Sequence, residues 1–196
     1  MNQHSYSSIA LLGTSADPPT TGHKALLMGL SNLFPKVITW ASDNPAKEHK
    51  ASLKQRHELL NILVKAIALP NIELKQELSS QWAIKTIDKA IECWPGKKLI
   101  LIIGSDLIND LPNWFEAKNV LSKAQLGIVP RQGWPMSNTD LKPIYDLGGV
   151  IKILPLNIPD TASSDIHTQQ LLSQIPKAIL PILKQKNLYG ISKRIQ

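Results

Sequence analysis

Residues Gly13 to His23 read GTSADPPTTGH and are the most informative stretch of the chain. A short apolar run from Ile9 to Leu12 precedes it, and an amphipathic stretch from Lys24 to Leu33 follows it. α/β proteins build phosphate sites from a strand that leads through such a loop into a helix, because the unpaired N–H groups and the helix dipole favour an anion. The sequence therefore predicts a phosphate site with Thr20 as the helix N-cap and His23 in the first turn.

Size and composition predict a globular protein with one domain, residues 1–196. The chain has 196 residues, and 43% of them are hydrophobic. That length is enough to bury a sizeable core. The apolar runs stay shorter than the roughly 20 residues that span a bilayer, and the first residues do not resemble a secretory signal. The single cysteine, Cys93, cannot form an intrachain disulfide, which fits a reducing compartment. We therefore expect a cytoplasmic protein without a membrane partner.

The charge balance favours anionic ligands of small size. The formal net charge is +7, and the sequence pI is near 9.5. Such a balance favours nucleotides or nucleic acid as partners. The lysines are scattered, however, and aromatic residues make up only 5% of the chain, which is few for a base-stacking surface. No nucleic-acid partner is expected on these grounds.

Strand and helix patterns alternate along the chain, which predicts the α/β class. The predicted strands are Ser8–Leu12, Lys36–Ala41, Ile72–Leu74, Lys98–Ile103, Gln125–Val129 and Val150–Leu154. The predicted helical segments are Thr21–Phe34, Leu53–Ala66, Gln81–Glu92, Leu107–Asn109, Trp114–Leu121, Ser164–Ser173 and Ile175–Gln185. The segment Arg131–Leu147, rich in Pro, Asn and Asp, receives no element. Alternation of this kind predicts a doubly wound parallel sheet with crossover helices.

The first loop is suited to transfer of a phosphoryl or nucleotidyl group. Amides around Thr14 and Ser15 would donate to phosphate oxygens. A histidine at the position of His23 would donate to the same group and stabilise the charge that develops in the transition state. The loop is neither a Walker A motif nor a GxGxxG fingerprint, because the required Gly-Lys-Ser/Thr and glycine spacings are missing.

A second hydroxyl-rich stretch lies near the other end of the chain. Residues Thr161 to His167 read TASSDIH, at the predicted start of a helix. Two hydroxyls and free amides at a helix N-terminus form an anion site, and His167 would add a cation one turn further on. A plain serine N-cap is the alternative interpretation of this stretch.

Together these motifs resemble those of a known family. Asp17-Pro18 followed by Thr20-Thr21-Gly22-His23 resembles the (H/T)xGH signature of the nucleotidyltransferase superfamily, and TASSDIH resembles its ISSTxIR signature. Further segments resemble the nicotinate (nicotinamide) mononucleotide adenylyltransferases within it: Gln81–Ile87, Leu101–Asp106, Leu111–Trp114, Val129–Gly133, Ile175-Pro176 and Asn187–Tyr189. The similarity extends from Ile9 to Tyr189 with order and spacing preserved.

The resemblance implies a Rossmann-like nucleotidyltransferase fold and a reaction. ATP and nicotinate mononucleotide would give deamido-NAD and pyrophosphate, in NAD biosynthesis, with Mg²⁺ bound to the ATP. The partners implied are ATP and a pyridine mononucleotide, and a homo-oligomer is left open. Three alternatives stay open: nicotinamide mononucleotide as acceptor, another acceptor such as phosphopantetheine, and a nucleotide- or nucleic-acid-binding protein without catalysis.

The resemblance also implies a role for particular residues. His23 and Thr20 would be catalytic. The implied ATP contacts are Gly13, Thr14, Ser15, Thr20, His23, Lys47, Gly104, Asp106, Ser163, Ser164 and His167, with Lys50 as the competitor of Lys47. The implied mononucleotide contacts are Trp82, Ala83, Trp114 and Arg131. Asp106 would bind the adenosine ribose, the two tryptophans would enclose the pyridine ring, and Arg131 would reach the mononucleotide phosphate. No residue is expected to ligate a metal.

Four positions depart from the family pattern. Thr14 replaces a loop glycine, and Ala16 replaces an aromatic residue. Ala83 replaces a threonine close to the pyridine substituent, so the choice between nicotinate and nicotinamide is left open. His167 replaces an arginine, which predicts weaker ATP binding at high pH because an imidazole is only partly charged at neutral pH.

Overall fold

Six parallel strands form the centre of the molecule. The computed structural model describes residues 7–44, 47–159 and 172–191. The strands are β1 (Ser8–Thr14), β2 (Val37–Ala41), β3 (Ile72–Leu74), β4 (Lys98–Gly104), β5 (Gln125–Val129) and β6 (Ile151–Ile153). Their order in the sheet is β3-β2-β1-β4-β5-β6, and every pair is parallel. This is the doubly wound order, so the predicted fold class is confirmed.

Helices cover both faces of this sheet. They are α1 (Thr21–Leu33), α2 (Leu53–Ile67), α3 (Ala83–Cys93), α4 (Ala117–Lys123), α5 (Asn138–Asp146) and α6 (Leu180–Gln185). Short 3₁₀ turns occupy Gln76–Leu78, Ser105–Leu107, Leu111–Asn113, Leu172–Gln174 and Leu188–Gly190. None of the helices in the described ranges is long and apolar enough to cross a membrane.

Alternate side chains of the central strands build two separate cores. Ala10 and Leu12 of β1 join the cluster that packs against α1, α2 and α6. Ile9 and Leu11 join the cluster that packs against α3, α4 and α5. Strand β4 is buried from Leu99 to Ile103, as expected for a central parallel strand with helices on both faces.

The functional edge of the sheet follows from this topology. Strand β1 pairs with β2 on one side and with β4 on the other. The chain therefore adds β2 and β3 on one side of β1, and then crosses over to add β4, β5 and β6 on the other side. Because all strands are parallel, their carboxyl ends meet at a single edge. Ligands of doubly wound sheets bind in the crevice at this switch point.

Three helices begin or lie elsewhere than the sequence predicts. The helix expected over Gln81–Glu92 begins at Ala83, because Trp82 has an extended backbone and its N–H donates to Ser80 Oγ, 3.2 Å away. The helix expected from Trp114 begins at Ala117, because Trp114 is extended and Glu116 is left-handed, with φ of 54°. The helix expected over Ile175–Gln185 begins only at Leu180.

Two further segments differ from the sequence prediction. Of the stretch Leu107–Asn109, Leu107 is the last residue of the 3₁₀ helix Ser105–Leu107, and Ile108 and Asn109 form a turn. Helix α5 lies in the segment to which no element was assigned, where Pro143 and the polar residues argued against a helix. Its start signal is Ser137, which caps the amide of Asp140 while Asp140 caps Ser137 in return. Of the predicted helix Ser164–Ser173, residues 164–171 lie outside the described residues, and Leu172 and Ser173 belong to a 3₁₀ turn.

A half-buried amide side chain closes the far end of α1. Asn71 Nδ2 donates to the carbonyl oxygens of Ser31 (2.9 Å) and Phe34 (3.0 Å), and Ser31 Oγ donates to Asn71 Oδ1 (2.7 Å). Asn71, which directly precedes β3, therefore donates to carbonyl groups that the last turn of a helix leaves without a partner inside the helix.

We expect Asn71→Ala to lower the free energy of unfolding by about 1–3 kcal/mol, because it leaves half-buried carbonyl groups without donors. Urea unfolding followed by circular dichroism measures this. Asn109→Ala, at an exposed turn, is the matched control and should change stability by less than about 0.5 kcal/mol. Equal loss in both variants would contradict a capping role for Asn71.

Candidate active site

Loops from four strands meet at the carboxyl edge of the sheet. Residues 15–20 follow β1, residues 42–52 follow β2, residues 105–116 follow β4, and residues 130–137 follow β5. Of the selected residues that the structure describes, most lie on these loops, at the strand ends before them or in the first turn of α1, whereas Trp82 and Ala83 lie at the start of α3. The parallel topology therefore brings together positions that are far apart in the sequence.

The first turn of α1 holds Thr20 and His23 in a reciprocal pair of caps. Thr20 Oγ1 accepts the backbone N–H of His23 (3.3 Å), and the backbone N–H of Thr20 donates to His23 Nδ1 (3.0 Å). The hydroxyl and Nδ1 are also only 2.8 Å apart. This is a capping box in which histidine takes the place usually held by Glu or Gln. The predicted N-cap is thus confirmed.

The caps determine which ring nitrogen of His23 carries a proton. Because Nδ1 accepts the Thr20 amide, the neutral ring has its proton on Nε2. Burial lowers the pKa of His23 to about 4, and the positive charges of Arg131 and Lys47 act in the same direction. The ring is therefore a neutral Nε2–H donor at physiological pH. Thr20 is fully buried, and its hydroxyl faces His23.

Gly13, near the end of β1, packs directly against the ring of Trp40. A Cβ at Gly13 would lie 2.9 Å from the indole ring of Trp40, which is itself buried in β2. Thr14 and Ser15 follow and are partly exposed, and the N–H of Ser42 donates to the Thr14 carbonyl (2.8 Å). Thr14, which stands where the family has a loop glycine, is thus held by a hydrogen bond from the residue that follows β2.

Asp17 fastens the first loop to the second. Its carboxylate, buried in the loop, accepts the amides of Lys50 (2.7 Å) and Ala51 (3.1 Å) and the hydroxyl of Tyr189 (2.6 Å). His49 Nδ1 lies 3.7 Å from the same carboxylate. Burial and the bond to Asp17 raise the pKa of the Tyr189 hydroxyl, so it stays a protonated donor.

Arg56 also connects the loops that follow β1 and β2. The side chain is 1% exposed, and its Nη1 donates to the carbonyl oxygens of Ser15 (2.8 Å) and Ser42 (2.8 Å). Its Nε donates to the Ala51 carbonyl (3.2 Å). Sequence analysis missed Arg56, although it lies on the same face of α2 as the buried residues Leu59, Leu60 and Leu63. A cation at helical spacing from apolar residues was the available signal.

A second charged pair lies at the end of β4. Arg131 Nη1 is 2.8 Å from Asp106 Oδ2, and the pair crosses over Gly104. A Cβ on Gly104 would lie 2.2 Å from Asp106 Oδ1 and 2.8 Å from Arg131 Cδ, so glycine is required here. Asp106 Oδ1 is buried and has no hydrogen-bond partner among the described residues.

Three aromatic side chains lie near the start of α3. The rings of Trp82 and Phe115 are 4.9 Å apart between centroids and inclined by 42°. Both are well exposed, whereas Trp114 is half-buried and packs against the second core cluster. Ala83 begins α3 directly after Trp82. Phe115 was missed because the resemblance directed attention to its neighbour Trp114.

Of the remaining predicted residues, two lysines lie on the loop after β2, and three residues lie outside the described part of the chain. Lys47 is exposed on the loop after β2, and its charge is felt by His23, whereas Lys50 contributes its backbone amide to Asp17. Ser163, Ser164 and His167 lie outside the described residues. Among the residues that the structure describes, no three His, Cys, Asp or Glu side chains are grouped as a metal site.

Comparison with known proteins agrees with this arrangement. Residues 11–192 match the cytidylyltransferase-like family. The chain is 33% identical to a probable nicotinate-nucleotide adenylyltransferase of Synechocystis, over 92% of this chain and 98% of that protein. It is 26% identical to a protein of the same name from Leptospira interrogans, over 92% and 96% of the two chains. The chain belongs to the nicotinate-nucleotide adenylyltransferase family.

Solved structures share the fold of this family member. The nicotinic acid mononucleotide adenylyltransferase of Plasmodium falciparum, complexed with NaAD, superposes with a TM-score of 0.78 at 20% identity. The match covers 95% of this chain and 99% of that chain. The same enzyme complexed with APC gives a TM-score of 0.77. The family and fold predicted from the sequence are both confirmed.

We expect Arg56→Met in this adenylyltransferase family member to lower the free energy of unfolding by about 3–5 kcal/mol. The substitution removes the donor of three carbonyl groups and leaves the Asp17 carboxylate buried without its neighbouring cation. Urea unfolding measures the loss. Tyr189→Phe, which removes one hydrogen bond to Asp17, should cost about 1–3 kcal/mol. If Arg56→Met were as stable as the native chain, the hydrogen bonds of Arg56 would not hold the loops that follow β1 and β2.

A pH-dependent contribution to stability follows from the lowered pKa of His23. The unfolded chain protonates this ring near 6.5, whereas the folded chain does so near 4, so the unfolded chain binds more protons between these values. Stability from this group is complete above about pH 6.5 and falls as the pH decreases towards 4. His23→Asn should show a shallower decline than the native chain in urea titrations at pH 7, 6 and 5. If the free energy of unfolding declined in parallel for the two chains, folding would not lower the pKa of His23.

Proposed function

We propose that this chain transfers the adenylyl group of ATP to nicotinate mononucleotide, giving deamido-NAD and pyrophosphate. The observation that carries the proposal is the bond from the Thr20 amide to His23 Nδ1. It leaves Nε2–H as a donor at the N-terminus of α1, where a polyphosphate binds most favourably. The reaction belongs to NAD biosynthesis.

The chemistry requires no covalent intermediate on the protein. A phosphate oxygen of the mononucleotide attacks the α-phosphorus of ATP in line, and a new O–P bond forms. The bond between the α-phosphorus and the bridging oxygen breaks, and its electron pair leaves with pyrophosphate. His23 Nε2–H donates to phosphate oxygens as their negative charge develops. Positioning of the two nucleotides supplies much of the remaining acceleration.

Two cations complement the neutral histidine. Lys47 from the β2 loop and Arg131 from the β5 loop both act electrostatically on His23. Lys47 thus meets the charge that builds on the polyphosphate, Arg131 faces the phosphate of the mononucleotide, and His23 supplies a directional hydrogen bond. Gly13, Thr14 and Ser15 bring backbone amides to the same phosphates, and Asp106 binds the adenosine ribose.

The acceptor site is formed by the aromatic residues and the start of α3. Trp82, Ala83, Trp114 and Phe115 lie there, and the pyridine ring packs against exposed aromatic faces. Trp82, the N-cap of α3, offers no side-chain acceptor to the first amides of that helix. Helix amides without a capping side chain favour a carboxylate, which supports nicotinate over nicotinamide.

Magnesium enters as part of the substrate. Within residues 7–44, 47–159 and 172–191, no three His, Cys, Asp or Glu side chains are grouped as ligands for a resident ion. We infer that MgATP is the species bound. Ser163, Ser164 and His167 are assigned to its phosphates on the sequence resemblance alone, and the cytoplasmic location and a homo-oligomer stay predictions.

We expect His23→Ala to lower kcat by about 100- to 1,000-fold, because the variant loses a donor that acts on the transition state. Pyrophosphate release from MgATP and nicotinate mononucleotide measures it. His57→Asn is the matched histidine control, since its ring contacts Gln76 instead of the α1 N-terminus. Circular dichroism must show that both variants are folded.

Parallel reactions with other acceptors distinguish the competing functions. Nicotinamide mononucleotide and phosphopantetheine should give pyrophosphate at much lower kcat/KM than nicotinate mononucleotide. Higher turnover with either would replace the proposed acceptor. Salt-sensitive binding of DNA or RNA, without pyrophosphate release from any acceptor, would favour a non-catalytic protein. Undiminished activity of His23→Ala would overturn the role of His23.

A further inference from the structure

The side chain of Ser105 makes two hydrogen bonds to the loop that follows β5. It directly follows β4 and is 6% exposed. Its Oγ accepts the backbone N–H of Arg131 (2.9 Å) and donates to the backbone carbonyl of Trp134 (2.9 Å). One hydroxyl at the end of β4 thus binds both ends of the turn 131–134, which follows β5.

The turn has little else to fix it. All four of its residues are exposed. Within the turn, the Trp134 N–H donates to the Arg131 carbonyl (3.1 Å), which closes an isolated antiparallel bridge, and Gly133 has φ of 80°. A segment with few buried contacts opens easily. The position of this turn relative to the sheet therefore depends strongly on Ser105.

The turn carries a cation of the site. The Arg131 side chain passes over Gly104 and reaches Asp106, and its charge acts on His23 at the start of α1. Asp106 lies next to Ser105 in the sequence, so the backbone and the guanidinium of Arg131 are held by consecutive residues. A shift of the turn would move the guanidinium away from the phosphate-binding edge.

We propose that Ser105 is a positioning residue for the acceptor: its hydroxyl holds the turn 131–134 so that Arg131 faces the phosphate of the mononucleotide. This inference rests on the proposed function for the identity of the acceptor. The placement of the turn by Ser105 does not depend on it.

The first test measures the turn itself, without substrate. In Ser105→Ala, the Arg131 amide loses its acceptor, and we expect its hydrogen-exchange rate to rise by about tenfold or more, as loss of a typical hydrogen bond allows. Amide exchange by NMR resolves this in a 21.7 kDa chain. Ser31→Ala is the matched control, because Ser31 Oγ makes a comparable 2.7 Å bond at the far end of α1.

The second test asks whether Ser105 acts through Arg131. Ser105→Ala should raise KM for nicotinate mononucleotide by about tenfold, with kcat and KM for ATP changed by less than about threefold. Ser31→Ala should change none of them. In the Arg131→Ala background, adding Ser105→Ala should have no further effect, since coupled residues are not additive.

Three results would overturn the inference. Unchanged exchange of the Arg131 amide in Ser105→Ala would show that the hydroxyl does not hold the turn. Additive effects of Ser105→Ala and Arg131→Ala on KM would show that Ser105 acts independently of Arg131. A loss confined to kcat would assign Ser105 to another step. If the native chain releases no pyrophosphate with nicotinate mononucleotide, the proposed function fails, and the exchange experiment still decides the placement of the turn.

Discussion

The hydrogen bond from the Thr20 amide to His23 Nδ1 is the interaction on which the site depends. It closes the N-terminus of α1, and it also fixes the tautomer of the ring. A Glu or Gln is the usual residue in this capping position, but a Glu would bring a negative charge to the helix N-terminus, where an anion binds most favourably. Histidine caps the helix and keeps an N–H donor on Nε2 at the same time.

Buried polar groups beneath the edge of the sheet give this donor a rigid surrounding. Arg56 and Asp17 connect the loops that follow β1 and β2, and Ser105 connects the loop of β4 to that of β5. Most of these bonds run from a side chain to backbone. Loops without regular secondary structure leave backbone groups to be satisfied, and fixed side chains satisfy them here. The same bonds hold the loop after β1 against that after β2, and the loop after β4 against that after β5.

The sequence predicted the parts of the fold that repeat a simple pattern. All six strands were found, since apolar runs bounded by Gly, Pro and polar residues are a local signal. The start of α1 was correct because Thr20 is an N-cap of ordinary type. Helix α5 was missed because Pro143 and several polar residues outweighed its cap at Ser137. The true starts of α3 and α4 depend on the backbone conformations of Trp82 and Glu116, which local patterns do not specify.

The order of elements, the loop from Gly13 to His23 and the family could be predicted from the sequence alone. These follow from apolar periodicity, from glycine, proline and hydroxyl residues in a fixed order, and from motifs read along one chain. Only the tertiary structure decided which distant residues meet. The burial of Arg56, the ring contact of Trp82 with Phe115 and the two bonds of Ser105 all join segments far apart in sequence. Parallel strands deliver such segments to one edge, and the packing there selects the pairs that touch.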